Sequence, residues 1–566
     1  MKKSFKKVVA MLLAVIMVLG LVACGTDNKE TTKAPATDAP EKTTEAPGKT
    51  DGETASAEQT TEAPEVGITY PYDTDDKLTF WCGNQMTVSS VYASWKDSPF
   101  HSKMEGKTGI YVDWQYPVEG ADVKQAFNLL MTDEVKPDMV YFTVNPATGK
   151  EMIEEETIWD LTDYLPEYAP DYWAYITDPA NAAELNAVVT DDGRHYMIPA
   201  IRESDYNVTY IGPVIRQDWL DECGLKMPVT IQDWENVLVK FKEKYGAKMG
   251  FVKGNFNNAG GIASGFGTYA ALNARLYVDN GKVNLAQLQP EYKAMLETLV
   301  KWYKMDLIDK DVLTLNNNGL RTKALNNEIG IAFVPMSQMT GMINDAKKEG
   351  TSANWVGMEY ARTEAGAPTT MIQSLAQRGT GLGAFITKSC SEEKLKTALA
   401  WLNYGWTEEG NKYWNYGEEG VTYTVGADGK VAWTDLIAKD EMGLTAATQK
   451  YTGASGSAPV VQKADLVRLK NSQQAGEAVE LWIKNTEASS HVLPTLTLTE
   501  AESDTYKTKM SPISTYISQE VAKFLVGDRD FSEYDAFVAK IKEMGAEEAL
   551  AVQQAAYDRY VARTGK

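Results

Sequence analysis

A chain of 566 residues with a formal charge of −22 is too long for one small domain and too acidic for a nucleic-acid-binding surface. Removing the four lysines at the N-terminus leaves −26, which also disfavours contact of the body with anionic lipid headgroups. Only Cys24, Cys82, Cys223 and Cys390 are present, widely spaced, so no disulfide framework is implied, although export would permit one pair.

Lys2, Lys3, Lys6 and Lys7 precede an apolar run from Val8 to Leu21, and Ala23-Cys24-Gly25 follows. A basic start, a short apolar stretch and a small residue at the cut make residues 1–23 a signal peptide. The run is shorter than the roughly 20 apolar residues of a spanning helix. The Leu-Val-Ala-Cys ending resembles the bacterial lipobox, which implies that Cys24 carries lipid and holds the protein on the extracellular face of the cell membrane. Stable anchoring requires more than one acyl chain. Residues 24–67 contain no aromatic side chain and no Leu, Ile, Met or Phe, and they repeat Thr31–Pro35 at Thr43–Pro47 and Thr60–Pro64. Such a segment buries too little apolar surface to offset ordering, so it is expected to be a disordered tether reaching about 35–40 Å or more.

The body, 68–566, alternates strand and helix patterns. Lys77–Trp81 predicts a first strand, a helix is expected over 90–106, and Ile110–Tyr116 predicts a second strand. A helix over Gly120–Met131 then leads to a third strand, Pro137–Phe142. This spacing points to βαβ units on a mostly parallel sheet. Arg194–Pro199 reads as a turn and strand, and Tyr206–Ile211 as extended. Pro228–Tyr245 reads as a helix capped by Thr230. Strands are expected at Ile329–Val334 and Gly381–Thr387, a helix at Glu392–Tyr404, and helix from Ser511 to the end. Asp279–Lys282 and Asp428–Lys430 look like hairpin turns. The body shows no repeat of 20–50 residues, which disfavours a solenoid or propeller.

Catalytic signatures are sparse. His101, His195 and His491 are isolated, and there is no His-Glu-x-x-His, Cys-x-x-Cys, Gly-x-Ser-x-Gly or P-loop. Gly265–Ala270 fits a loose dinucleotide fingerprint but follows the Gly- and Asn-rich stretch 254–261, so a flexible loop is the better reading. Glu154–Glu156 reads as a solvated loop or helix start. Carboxylates are abundant enough for a glycosidase pair, yet sequence cannot bring two together. Trp401, Trp406 and Trp414, with Tyr404, Tyr413 and Tyr416, are either core or flat faces for sugar rings.

Gly193-Arg194-His195-Tyr196-Met197-Ile198-Pro199, then Ile215–Leu225 (Ile-Arg-Gln-Asp-Trp-Leu-Asp-Glu-Cys-Gly-Leu), then Pro228-Val229-Thr230 resemble extracellular solute-binding proteins of family 1. Tyr413–Tyr423, Lys523–Gly527, Met544-Gly545 and Ala556–Tyr560 resemble that family's long lipoprotein branch. Cys223 stands where Leu is common, and Glu418-Glu419 where Ile-Glu is usual. The resemblance implies an α/β, two-lobed periplasmic-binding-protein-like fold (type II) with lobes joined by crossing hinge strands. It implies a non-catalytic monomer, without cofactor or metal, that gives an oligosaccharide to the permease subunits of an ABC importer. It also implies that Asp218 and Trp219 cap and pack a helix and that Asp558 pairs with Arg559. The first lobe is expected to span about 68–208 plus 365–410, and the second about 212–360 plus part of 411–566.

Ligands in open α/β sheets lie beyond the carboxyl ends of strands. That rule selects Trp81 and Asn84 after the first strand, Thr143 and Asn145 after the third, and Arg202 and Tyr206 near the crossover. It also selects Met336, Ser337 and Gln338 after Ile329–Val334, with Arg378 before another strand. Each of these positions also suits an ordinary loop or packing residue. An arginine meets hydroxyls or a carboxylate equally well, so Arg202 and Arg378 leave neutral and acidic sugars open. A peptide or other small polar solute as cargo, and a surface glycosidase or lyase, are the competing readings.

Overall fold

The computed structural model describes residues 67–83, 92, 97–118, 121–181, 188–373, 379–454 and 458–565, all within the unit Glu65–Lys566. The leader, Cys24, nearly all of the tether, Asn84 and Arg378 lie outside the described residues. The strands in chain order begin with β1 (Lys77–Cys82), β2 (Tyr111–Gln115), β3 (Met139–Thr143), β4 (Ile198–Arg202) and β5 (Ile211–Arg216). Next come β6 (Lys248–Phe251), β7 (Leu276–Asp279), β8 (Lys282–Leu285), β9 (Ile329–Pro335) and β10 (Trp355–Gly357). The last four are β11 (Gly379–Ile386), β12 (Tyr423–Val425), β13 (Val431–Trp433) and β14 (Val461–Gln462).

Two sheets carry the architecture. The first has the order β14-β4-β11-β3-β1-β2, and all its strands run the same way except β11, antiparallel to both β3 and β4. The second has the order β10-β5-β9-β6, with β5 antiparallel to its two neighbours and β9 parallel to β6. Parallel strands need helical crossovers, so both faces are covered and the strands read as apolar runs. Two hairpins, β7–β8 and β12–β13, stand apart. The first turns on Asn280 and Gly281, both at positive φ (49° and 75°), which the twist of a two-residue hairpin requires.

Each sheet has its own core. Phe80, Met139, Ile198, Phe385, Trp401 and Trp414 belong to the first; Val214, Trp234, Phe333, Trp355, Trp482 and Phe524 belong to the second. The first core continues through Tyr423, Val460 and Leu466, past the expected limit near residue 410, while Ile372 lies in the second core. The helix Gln473–Trp482 returns the chain to the second lobe and seats Trp482 on β5, where its indole N–H donates to the Pro213 carbonyl at 3.0 Å.

The helix Ile231–Tyr245 begins at Thr230 as expected, with Asp233 completing a capping box. Three expectations need correction. The extended reading of 206–211 holds only from Thr209: Asp205–Val208 forms a helical turn closed by Ser204 and Asn207, because these short polar residues bond each other's backbone N–H groups. The long C-terminal helix starts at Glu500, not Ser511, under a Thr499–Glu502 capping box, and it carries Pro512 in its interior. Arg559 pairs with Glu502 at 2.6 Å, whereas Asp558 accepts from Gln554 at 2.8 Å. An intrahelical neighbour cannot turn to face the next residue, but Glu502 on a packed helix can.

Candidate functional site

The chain passes between the lobes three times. It leaves the first sheet at Arg202 and enters the second at Ile211, returns between Gln373 and Gly379, and crosses again from Gln462 to Gln473. In the first sheet β1, β2, β3, β4 and β14 all end on the edge from which these crossovers leave. In the second sheet β6, β9 and β10 end on the edge where β5 begins. The carboxyl edges of both sheets are therefore turned toward the crossovers, the position where open α/β sheets hold ligands.

Buried amides tie the crossovers together. The Gln373 side-chain oxygen accepts the N–H of Tyr210 at 2.7 Å and that of Ile211, and its backbone carbonyl accepts the Thr209 hydroxyl at 2.7 Å. The Tyr360 hydroxyl donates to the Ile211 carbonyl at 2.6 Å. Asn207 donates to the Gln462 carbonyl at 2.7 Å, and Glu203 accepts from the Lys463 ammonium and the Ala464 N–H, both at 2.9 Å. Because Gln373 and Asn207 are buried, each of these bonds replaces water that the site excludes. Nothing local in the sequence marks these residues. Their meaning comes from crossovers that meet only in the fold.

The residues selected from sequence divide into three groups. Thr143 and Asn145 are exposed at the end of β3, and Asn145 also caps the helix Pro146–Glu154 by accepting the Thr148 N–H at 2.9 Å. Ser337 is exposed after β9, and Gln338 donates to the Asn317 carbonyl at 2.6 Å. Arg202 is part-exposed, donates to the Asn207 carbonyl at 3.2 Å and lies over the Tyr210 ring at 5.5 Å. Trp81, Tyr206 and Met336 are instead committed to packing. Trp81 is 4% exposed between Phe127 and Phe142, Met336 is buried in the second core, and Tyr206 lies beneath the Arg468 guanidinium at 4.7 Å.

The aromatic run near residues 401–416 is core. Trp401, Tyr404, Tyr413, Trp414 and Tyr416 are buried, with Tyr413 stacked on Phe100 at 4.7 Å, while part-buried Trp406 packs on Tyr172 and Tyr175. Asp218 clasps Arg216 through two bonds of 2.8 and 2.5 Å, and Trp219 stacks on Tyr245 at 4.3 Å. That motif is structural, at the end of β5 away from the crossovers. Gly265–Ala270 follows the helix Lys253–Ala259 and contains a short 3-10 turn, not the strand-to-helix junction of a dinucleotide site. Glu154 ends a helix, and Glu156 lies beyond it at a φ of 52°. Among the described residues no group of three or more His, Cys, Asp or Glu is placed to hold a metal ion, and none of Cys82, Cys223 and Cys390 forms a disulfide.

The family model of bacterial extracellular solute-binding proteins matches residues 89–412. The chain belongs to this family. Membership makes it a binding component and not an enzyme. The fructooligosaccharide ABC transporter substrate-binding protein FusA of Streptococcus pneumoniae is 22% identical over 88% of this chain and 93% of that protein. Lipoprotein LipO of Bacillus subtilis is 26% identical over 45% of this solute-binding protein and 50% of its own length. Among solved structures, a solute-binding protein for HMO from Bifidobacterium longum infantis superposes with a TM-score of 0.67 at 18% identity, covering 86% of this chain and 99% of that one. The alginate-binding protein AlgQ2 gives 0.64 at 20% identity with the same coverage. These likenesses establish the two-lobed α/β solute-binding fold.

Proposed function

We propose that this protein is a lipid-anchored binding protein that captures an oligosaccharide between its lobes and delivers it to the permease of an ABC importer. The observation that carries the reading is the pair of sheets whose carboxyl edges face one set of three crossovers, a geometry suited to closing around a solute by hinge motion. The names of FusA and of the HMO-binding protein support a sugar oligomer as cargo, and LipO supports a lipoprotein. In this reading Thr143, Asn145, Arg202, Ser337 and Gln338 meet the ligand, and the acylated Cys24 keeps the monomer at the outer face of the membrane.

A thermal-shift panel of oligosaccharides against short peptides tests the cargo. Binding stabilises by RT ln(1 + [L]/Kd), about 2.7 kcal/mol at a hundredfold excess over Kd, so a true ligand raises the melting temperature visibly. Peptides that stabilise the protein while every oligosaccharide fails would overturn the reading. Reducing ends accumulating during long incubation would overturn its non-catalytic part. Cys24→Ala is expected to release the protein from the membrane fraction into the medium.

A further inference from the structure

We infer that the captured oligosaccharide is acidic, with the carboxylate of a uronic acid received by Arg202 at the carboxyl edge of β4. The inference rests on the oligosaccharide reading above and narrows it.

Arg202 makes no ion pair among the described residues. Its guanidinium has the Asn207 carbonyl and the Tyr210 ring, and the next group toward it is Tyr141. Tyr141 cannot neutralise it. Burial pushes that phenol well above its ordinary range, so it stays protonated, and its oxygen has no hydrogen-bond partner. Glu203, the adjacent carboxylate, is engaged by Lys463 and the Ala464 N–H. Most other described guanidiniums are matched, among them Arg216 with Asp218, Arg321 with Asp345, Arg529 with Glu520 and Arg559 with Glu502, whereas Arg275 before β7 and Arg563 on the last helix also lack a carboxylate. Of these three, Arg202 stands where β4 ends at the crossovers.

Lys470 lies on the third crossover, within range of the Arg202 charge. Burial is the main cause that lowers its ammonium, to about 8, and the charge of Arg202 lowers it further. Arg202 is itself lowered by burial, though the residue keeps part of its surface exposed. A part-buried guanidinium without a carboxylate favours an anion, because the local dielectric is low and it can hold a carboxylate with two parallel bonds.

The test is calorimetry on the full chain with uronate trisaccharides (galacturonate, glucuronate, mannuronate and guluronate) and the carboxyl-reduced neutral counterpart of each. A uronate is expected to bind about 10- to 100-fold more tightly than its reduced form, with the preference shrinking as salt rises. Arg202→Gln should abolish most of that preference, Arg202→Lys should keep part of it, and Lys470→Gln should weaken it without touching the Asn207 tie. Melting temperatures of the variants separate lost binding from lost folding. Neutral sugars binding as well as their acidic parents would overturn this inference and leave the oligosaccharide reading intact. If no member of either set binds while a peptide does, both fall. Unchanged uronate preference in folded Arg202→Gln would remove Arg202 from the role.

Discussion

Gln373 joins two crossovers through one amide, and its replacement isolates what that junction contributes. In Gln373→Ala the Tyr210 and Ile211 N–H groups lose their acceptor inside the protein, and each buried orphan costs about 1–3 kcal/mol. Urea unfolding should therefore show a loss of about 2–4 kcal/mol, and a loss below 1 kcal/mol would mean that water reaches the gap. His195 offers a second residue-scale test. Burial holds its imidazole down at about 4, against an ordinary value near 6.5, and nearby Asp160 only partly counters this. The unfolded chain takes up the proton first as pH falls, so the contribution is fully present above about 6.5 and is lost on the way to 4. Between pH 7 and 4.5 His195 alone should remove about 2–3 kcal/mol, a slope that His195→Asn should flatten. Residue types revealed Arg202 as a candidate in the sequence, but not that it lacks a carboxylate or that Lys470 approaches it. Those facts depend on chain segments far apart in sequence. The same limit applies to Trp81, whose place after a strand suggests a ligand face and whose ring is held by Phe127 and Phe142.

Among elements, the helix Gln473–Trp482 is closely constrained by its seat. A Cβ at Gly212 would stand 2.3 Å from the Trp482 ring, and one at Gly357 would stand 2.4 Å from the Cα of Ala478. Gly212→Ala is expected to cost about 1–3 kcal/mol as the helix is pushed off β5. Loss of Trp482 fluorescence burial in the folded variant would report that displacement, and an unchanged spectrum and stability would refute it. Elements with strong local signals were legible: Lys77–Trp81, the capped helix at Ile231 and the Asn280-Gly281 turn all formed near their expected places. The helical turn at Asp205–Val208 was hidden because apolar residues at Tyr206 and Val208 read as strand, while Ser204 and Asn207 closed a turn. The aromatic run near residue 401 was ambiguous for another reason. Helical spacing places side chains on one face without saying whether that face meets a core or a cleft.

At the level of the whole molecule, sequence conveyed two lobes and their α/β character but placed the return to the second lobe too early. The first core needs residues through Leu466, because β14 pairs with β4 and the helix Glu408–Tyr416 covers the sheet. If the lobes rock on the three tied crossovers, ligand should compact the protein, and small-angle scattering should show a smaller radius of gyration with the stabilising sugar than without it. The interleaved path also bears on biogenesis. The strand β11 fills the middle of the first sheet, between β3 and β4, yet it is made only after β5 through β10 of the other lobe. A nascent chain therefore cannot complete either half in turn. Its first sheet waits with two open strand edges at β3 and β4 until most of the polypeptide has emerged, a long-range assembly expected to be slow and prone to association. A product meant to cross a membrane before it folds gains from that delay, since premature closure of an N-terminal half would block its passage.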